Sequence, residues 1–512
     1  MNSMNKNTKK IFCLVAASVL VSACDTDFST TVGDTSSYSA GDADFSKYVA
    51  IGDSLTAGYA DGALYLSGQE NSFPAILAQQ FATVGGGAFT QPLVDDNFGG
   101  LLIASNPLPG FDNRLVLDGI TQSPEPIAGT PTTDITSPLT GEFSNMGVPG
   151  AKSYHLGAPG YGSLAGVTAV PATANPYFAR FASSATTTMI TDAAAQLPSF
   201  YTLWIGNNDV LSYATTGGIG VDQTGNPNPP PYGSNDITDP TAFAGIYGQL
   251  VGAFAAANAN AKGVLINIPD VSTIPFFTTV PFNAVPLDQA TADTLNAAYA
   301  TYNGGVQAAL GATIISSEEA AQRTITFAAG QNAVVIEDED LVDVNTASGG
   351  AIPIPNYRQA TASDLILLPV SAYLGTEDEN SAGATPPAGK PWGLGTPLTD
   401  ADVLIPSEIL AIDTARLAFN AAIAATAAGN ANLEFYDAAA DLQTLKDTGI
   451  NYGTGSINST YATGGGFSLD GVHPTARGYA VIANGIIDTI NTGFNANIPN
   501  VDPGLYTTIF IK

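Results

Sequence analysis

Histidine, cysteine and basic residues are scarce in this chain of 512 residues: 2 His, 2 Cys and 15 Lys plus Arg stand against 45 Asp plus Glu, for a formal charge of −30. Two histidines far apart, His155 and His473, cannot build a His-rich zinc site, and no HExxH or CxxC pattern replaces it. The excess of acid leaves no polybasic face, so nucleic acid is not an expected partner. Charged residues total only 12%, about half the usual share. Against these shortages stand 45% hydrophobic residues, enough for a sizeable core, and 54 Gly with 33 Pro, which predict long loops between packed elements. Neither a metal ion nor an organic cofactor is expected.

The first residues read as an address. Lys6, Lys9 and Lys10 precede an apolar run over 11–23, too short for a spanning helix of about 20 residues. Val21-Ser22-Ala23-Cys24 resembles the lipobox of bacterial lipoproteins. That resemblance implies a signal over 1–23, cleavage before Cys24 and a lipid on the Cys24 thiol; an ordinary secretory signal is the alternative. Cys13 would leave with the signal, so the mature chain would hold neither a free thiol nor a disulfide. The expected membrane partner is reached through the lipid, because an acidic body is repelled by an anionic surface. Residues 24–45 are rich in Ser, Thr, Asp and Gly and read as a flexible tether ahead of a body over 46–512. Acidic residues after Cys24 resemble surface-export signals of some Gram-negative lipoproteins, and Asp25 resembles an inner-membrane retention signal of others. The expected location is the cell envelope, at the outer membrane or cell surface, with the leaflet open.

Within the body, β-favouring runs at 48–51, 201–205, 263–268, 333–337 and 433–436 alternate with helical spacing at 72–81, 243–257, 407–427 and 476–490. This alternation predicts an α/β class with a parallel sheet covered on both faces. Insertions are expected around 211–240, where Asn-Pro-Asn-Pro-Pro-Pro forbids regular structure, and around 271–430, with an apolar run at 365–370 as a strand of its own. Residues 337–343 carry five acids in seven positions without the EF-hand spacing, and read as a solvated loop.

Four short blocks could carry chemistry. Ser54 in Gly52-Asp53-Ser54-Leu55 follows the first strand, at the edge where parallel sheets bind ligands, though a Ser there is equally a helix cap. In Asp470-Gly471-Val472-His473-Pro474, a His can take a proton from a Ser while an Asp three residues earlier holds its other ring nitrogen. Gly150 in Asn145-Met146-Gly147-Val148-Pro149-Gly150 could offer a backbone N–H to an oxyanion, and Asn208 in Gly206-Asn207-Asn208-Asp209 an amide N–H. Gly and Asn are ordinary turn residues, so each of these two is weak alone.

Taken in order, the four blocks resemble the GDSL or SGNH family of serine esterases and lipases. The resemblance implies a flavodoxin-like three-layer α/β/α sandwich, Ser54 as nucleophile, His473 as general base and then acid, and Asp470 as its orienting carboxylate. It also implies an oxyanion hole of the Ser54 N–H, the Gly150 N–H and the Asn208 side chain. Asn267-Ile268-Pro269-Asp270 resembles a segment of the family's outer-membrane lipolytic members. The expected substrate is a lipid or short-chain acyl ester; an acetylated polysaccharide is the alternative, and a non-catalytic surface adhesin on the same scaffold is a reading of another class. The long stretch between Asn208 and Asp470 departs from minimal members, and its insertions are expected to overhang the site. Rival scaffolds lack their letters: there is no Gly-x-Ser-x-Gly elbow, and Gly150-Ala151-Lys152-Ser153 lacks the Gly before Lys that a phosphate loop needs. The run Gly160-Tyr161-Gly162-Ser163-Leu164-Ala165 reads as a loop. His155 is open between a pocket-facing and a packed residue.

Overall fold

Five strands, β1 (Tyr48–Gly52), β2 (Asn145–Gly147), β3 (Phe200–Trp204), β4 (Lys262–Ile266) and β5 (Leu433–Tyr436), form one parallel sheet in the order β5-β4-β3-β1-β2. The computed structural model describes residues 37–229, 232–376 and 391–512. The expected signal, Cys24 and the tether up to residue 36 lie outside the described residues. β1 and β3 are buried at every position, as their unbroken apolar runs require of strands covered on both faces.

The main helices are α1 (Ser54–Ala57), α2 (Phe73–Ala82), α3 (Asn208–Ala214), α4 (Pro240–Ala257), α5 (Gln289–Gly311), α6 (Pro406–Ala428), α7 (Ala438–Asp447) and α8 (Ala476–Gly493). Their starts are written in the sequence: Ser72, Asp239 and Thr475 each accept a backbone N–H of the first turn, and Pro stands in the first turn of α2 and α4. Alternate strand residues then divide between two helical layers. Tyr48, Ala50, Phe200, Trp204, Val264 and Ile266 pack with α2 and α8. Val49, Ile51, Tyr201, Leu203 and Leu265 pack with α4 and α6, where Tyr201 stacks on Phe254 and Phe243 on Phe419, each at 4.2 Å between ring centroids. The expected three-layer α/β/α sandwich is what the chain forms.

The structure departs from the expectations at several places. β2 escaped notice because three residues, Asn145-Met146-Gly147, show no periodicity. The strand within 333–337 is real, but Val335–Glu337 pairs antiparallel with Tyr357–Gln359 outside the central sheet. In 365–370 only Leu365–Ile366 is a strand, paired with Val403–Leu404, before a 3-10 turn at Leu368–Ala372. The insertion does not extend to residue 430: α6 carries Ile412, Phe419 and Ile423 onto the sheet and is the crossover helix between β4 and β5. The true insertion between β4 and α6 has its own small core, where Leu295, Tyr299, Tyr302 and Val306 of α5 meet Ile325, Phe327 and Val335. Nor is 337–343 wholly solvated, since buried Asp338 pairs with Arg358, which also holds Asp364 at 2.7 Å.

Candidate active site

The site starts where β1 stops. A Cβ on Gly52 would stand 2.1 Å from the Trp204 carbonyl oxygen, so only Gly lets β1 and β3 end side by side here. Asp53 caps α1 by accepting the Leu55 N–H at 3.0 Å, and its other oxygen accepts from the Asn207 amide at 2.9 Å. Burial pushes the Asp53 carboxyl up to about 6, against the pull of these donors. Ser54 therefore opens a helix at the carboxyl edge of the sheet, and no acceptor among the described residues takes its N–H.

The loop before α8 brings the second part. Ser468 N–H donates to the His473 carbonyl at 2.8 Å, closing a tight turn, and Thr475 caps α8 just beyond it. Inside the turn, one Asp470 oxygen accepts from Ser468 Oγ, Val472 N and His473 N at 3.0, 2.9 and 2.8 Å. The other accepts from Gly62 N at 3.0 Å and lies 2.8 Å from His473 Nδ1. Burial opposes ionisation of Asp470, but the neighbouring His473 and these donors outweigh it and bring its pKa down to about 2. An ionised carboxylate can only accept, so it fixes the ring proton on Nδ1 and leaves Nε2 as an acceptor. That Nε2 lies 2.9 Å from Ser54 Oγ. Tyr59 supports the imidazole from the side, with ring centroids 4.7 Å apart.

A residue that the sequence reading missed ties the two parts together. Asp61 N–H donates to Ser468 Oγ at 2.9 Å, and an Asp61 carboxylate oxygen accepts from Leu469 N at 3.0 Å. Burial pushes its carboxyl up to about 6, and the Arg114 guanidinium lies 4.0 Å away, over the rings of Tyr65 and Phe510. Asp61 lies in no recognisable motif; the one available signal was an acid within the largely apolar run that follows the Ser54 block.

The two oxyanion candidates flank Ser54 on the β2 and β3 sides. Val148 N–H donates to the Gly52 carbonyl at 3.0 Å, which folds the turn after β2 over the end of β1. Gly150 in that turn has φ of +79°, a conformation that favours Gly, and its N–H has no acceptor among the described residues. The Asn208 amide donates to the Ala151 carbonyl at 3.0 Å, and buried Asp209 accepts from Ser153 N and Oγ at 2.8 and 2.6 Å. The Gly150 turn and the start of α3 are thus laced together beside Ser54.

His155 is a packed residue. Its ring stacks on Tyr161 at 4.3 Å and its Nδ1 accepts the Lys152 N–H at 3.0 Å, while burial and the Lys152 charge push it down to about 4. Elsewhere, carboxylate oxygens of Glu339, Asp400 and Glu408 lie within 4.8 Å of one another. Burial, with mutual repulsion added, raises Asp400 to about 6 and Glu408 to about 8, and Glu408 also accepts the Ile405 N–H ahead of α6. None of the three lines the cleft at Ser54.

That cleft encloses about 870 Å³ of space, part of it open to solvent, and Ser54, Asn207 and His473 line it. Most of its walls come from residues 436–482, from the last residue of β5 onward. Among the described residues between β4 and α6, only Pro269, Val271 and Ile274 at the start of that stretch reach the cleft. The insertion instead supports the turn that carries Asp470 and His473, Phe276 N–H donating to the Gly471 carbonyl at 2.9 Å. The expectation that the insertion overhangs the site is to that extent corrected.

A family model described as GDSL-like Lipase/Acylhydrolase matches residues 48–337. The match includes Ser54, Gly150 and Asn208 and ends before Asp470 and His473, which the fold returns to Ser54. No curated protein and no solved structure matches the chain.

Proposed function

Because this chain belongs to the GDSL-like lipase/acylhydrolase family and is therefore a serine ester hydrolase, we propose that Ser54, His473 and Asp470 are its catalytic triad, acting on carboxylic esters while lipid-anchored in the cell envelope. The observation that carries this reading is the unbroken relay of Ser54 Oγ, His473 and Asp470 with contacts of 2.9 and 2.8 Å. Ser54 Oγ attacks the ester carbonyl carbon while its proton passes to His473 Nε2. The tetrahedral oxyanion faces the Ser54 and Gly150 N–H groups and the Asn208 amide. On collapse the carbon–oxygen bond to the alcohol breaks, and His473 returns the proton to the leaving oxygen. Water then attacks the acyl-Ser54 ester by the same route, releasing the carboxylic acid and restoring Ser54. No step draws on a cofactor or a metal ion.

A fluorophosphonate probe should label Ser54 alone, found by peptide mass spectrometry, and should abolish hydrolysis of p-nitrophenyl esters in step with labelling. Label on another serine, or hydrolysis that survives full labelling, would overturn the assignment.

The anchoring part of the proposal rests on the Val21-Ser22-Ala23-Cys24 pattern and on the acidic body, which needs a lipid to stay at an anionic surface. Cys24→Ser should move the protein from the membrane fraction to the soluble fraction, as an uncleaved or released form, with specific activity on a soluble aryl ester retained. A variant that stays in the membrane fraction and still takes up radiolabelled palmitate would sink the lipoprotein reading.

A further inference from the structure

The cleft beside Ser54 says more about the substrate than the family does. Its lining is largely apolar: Leu442 and Leu445 of α7, Ile450 and Ile457 of the hairpin that follows, and Val481 and Ile482 of α8 all contribute to its walls. The carboxylate along this surface, Asp441, accepts a hydrogen bond from Tyr436 Oη at 2.6 Å, and burial raises its pKa, which lowers the cost of its contact with hydrocarbon. A sugar ring would leave its hydroxyls without partners on these walls. An alkyl chain loses nothing there and gains for each methylene removed from water.

We infer that this cleft is an acyl-chain slot, and that the enzyme acts on esters of medium- to long-chain fatty acids rather than on acetyl groups. The inference rests on Ser54 being the nucleophile. The chain in the slot is that of the acid, not the alcohol. The acyl group stays bonded to Ser54 through both chemical steps, so a wall next to Ser54 serves both, whereas the alcohol must leave before water can enter. Asn207 and Ser54 head the cleft, while Gly150 and Asn208 are not among its lining residues. A carbonyl oxygen aimed at those donors therefore leaves the slot free for the hydrocarbon. The walls come from α7, the hairpin and the first turns of α8, so chain length is read by the segment between β5 and the end of the site.

The test compares two ester series on the full chain, each kept below its critical micelle concentration. In p-nitrophenyl esters from acetate to decanoate, kcat/KM should rise about 3- to 4-fold per methylene until the slot is filled, and by about 100-fold or more in all. In a series of acetates of alcohols from ethanol to decanol, it should change little. Val481→Trp on α8 and Leu442→Trp on α7, both at half-buried positions that line the cleft, should each lower the decanoate-to-acetate ratio by about 10-fold or more. A flat acyl profile with acetate still hydrolysed by a Ser54-dependent route would overturn the slot and leave the esterase intact. Chain dependence in the alcohol series instead, or a ratio untouched by both Trp variants, would also overturn it. Loss of all hydrolysis at Ser54 in the unmodified protein would remove the triad assignment itself.

Discussion

Ser54→Ala should lower ester turnover by about 10⁴- to 10⁶-fold, and adding His473→Ala to it should lower turnover no further. The reason lies in the 2.9 Å contact between His473 Nε2 and Ser54 Oγ: in the proposed triad the imidazole works only through the proton it takes from that hydroxyl and later gives to the leaving group. Once the hydroxyl is gone, the base has nothing to activate, so the second loss is already contained in the first. His473→Ala alone should come close to the Ser54→Ala value, because an unassisted Ser is a weak nucleophile near neutral pH. The residual rate in all three variants should be the same, set by the Gly150 and Asn208 donors and by substrate binding, and KM for the aryl ester should move by less than about 3-fold. Steady-state kinetics on the two single variants and the double variant decide the matter. Losses that multiply would mean that Ser54 and His473 act separately and that the relay is a resting contact without a role in catalysis.

The parts of this site that were legible in the sequence are those where a chemical need forces a residue type at a fixed local spacing. Asp470 and His473 are three apart because the carboxylate must turn back on the ring, and Ser54 follows Gly52 because no side chain fits beside the Trp204 carbonyl. With only 2 His in the chain, an imidazole base has two possible positions, His155 and His473. Strands β1, β3 and β4 were legible for a similar reason, since burial on both faces demands near-continuous apolar runs, whereas the edge strand β5, half-buried at Glu434 and Phe435, was legible from its β-favouring residues. What could not be read depends on contacts between distant segments. β2 is a strand only because Asn145, Met146 and Gly147 lie in register with Ala50, Ile51 and Gly52. Asp61 reaches the 468–470 turn from the far end of the chain, and nothing in its neighbours marks that meeting. His155 could be decided only by the Tyr161 ring stacked on it. The crossover role of α6 was hidden because a loop-rich insertion precedes it, and composition alone gives no sign of where an insertion ends and the frame resumes.

Asp470→Asn should be the other large effect, a loss of turnover of about 10⁴-fold with KM nearly unchanged. The amide is nearly the shape of the carboxylate but can place an N–H opposite His473 Nδ1. The ring would then carry its proton on Nε2, facing Ser54 Oγ with a donor where an acceptor is needed. The same change has a stability signature with a definite sign. The Asp470 carboxyl has its folded pKa lowered to about 2 from an ordinary 3.8. Its contribution is therefore fully present above about pH 4 and is lost as pH falls toward about 2. A shift of this size corresponds to roughly 2 kcal/mol, and the Asn variant also sets an amide donor against the Gly62 N–H that now bonds the carboxylate at 3.0 Å. Urea unfolding at pH 7 should accordingly find the variant less stable by about 1–3 kcal/mol. The gap between it and the unmodified protein should close as both are taken from about pH 4 toward pH 2. A gap that stays constant across that range would mean that Asp470 is not the ionised acceptor its five short contacts require. The tautomer assigned to His473, and with it the direction of proton transfer from Ser54, would then have to be given up.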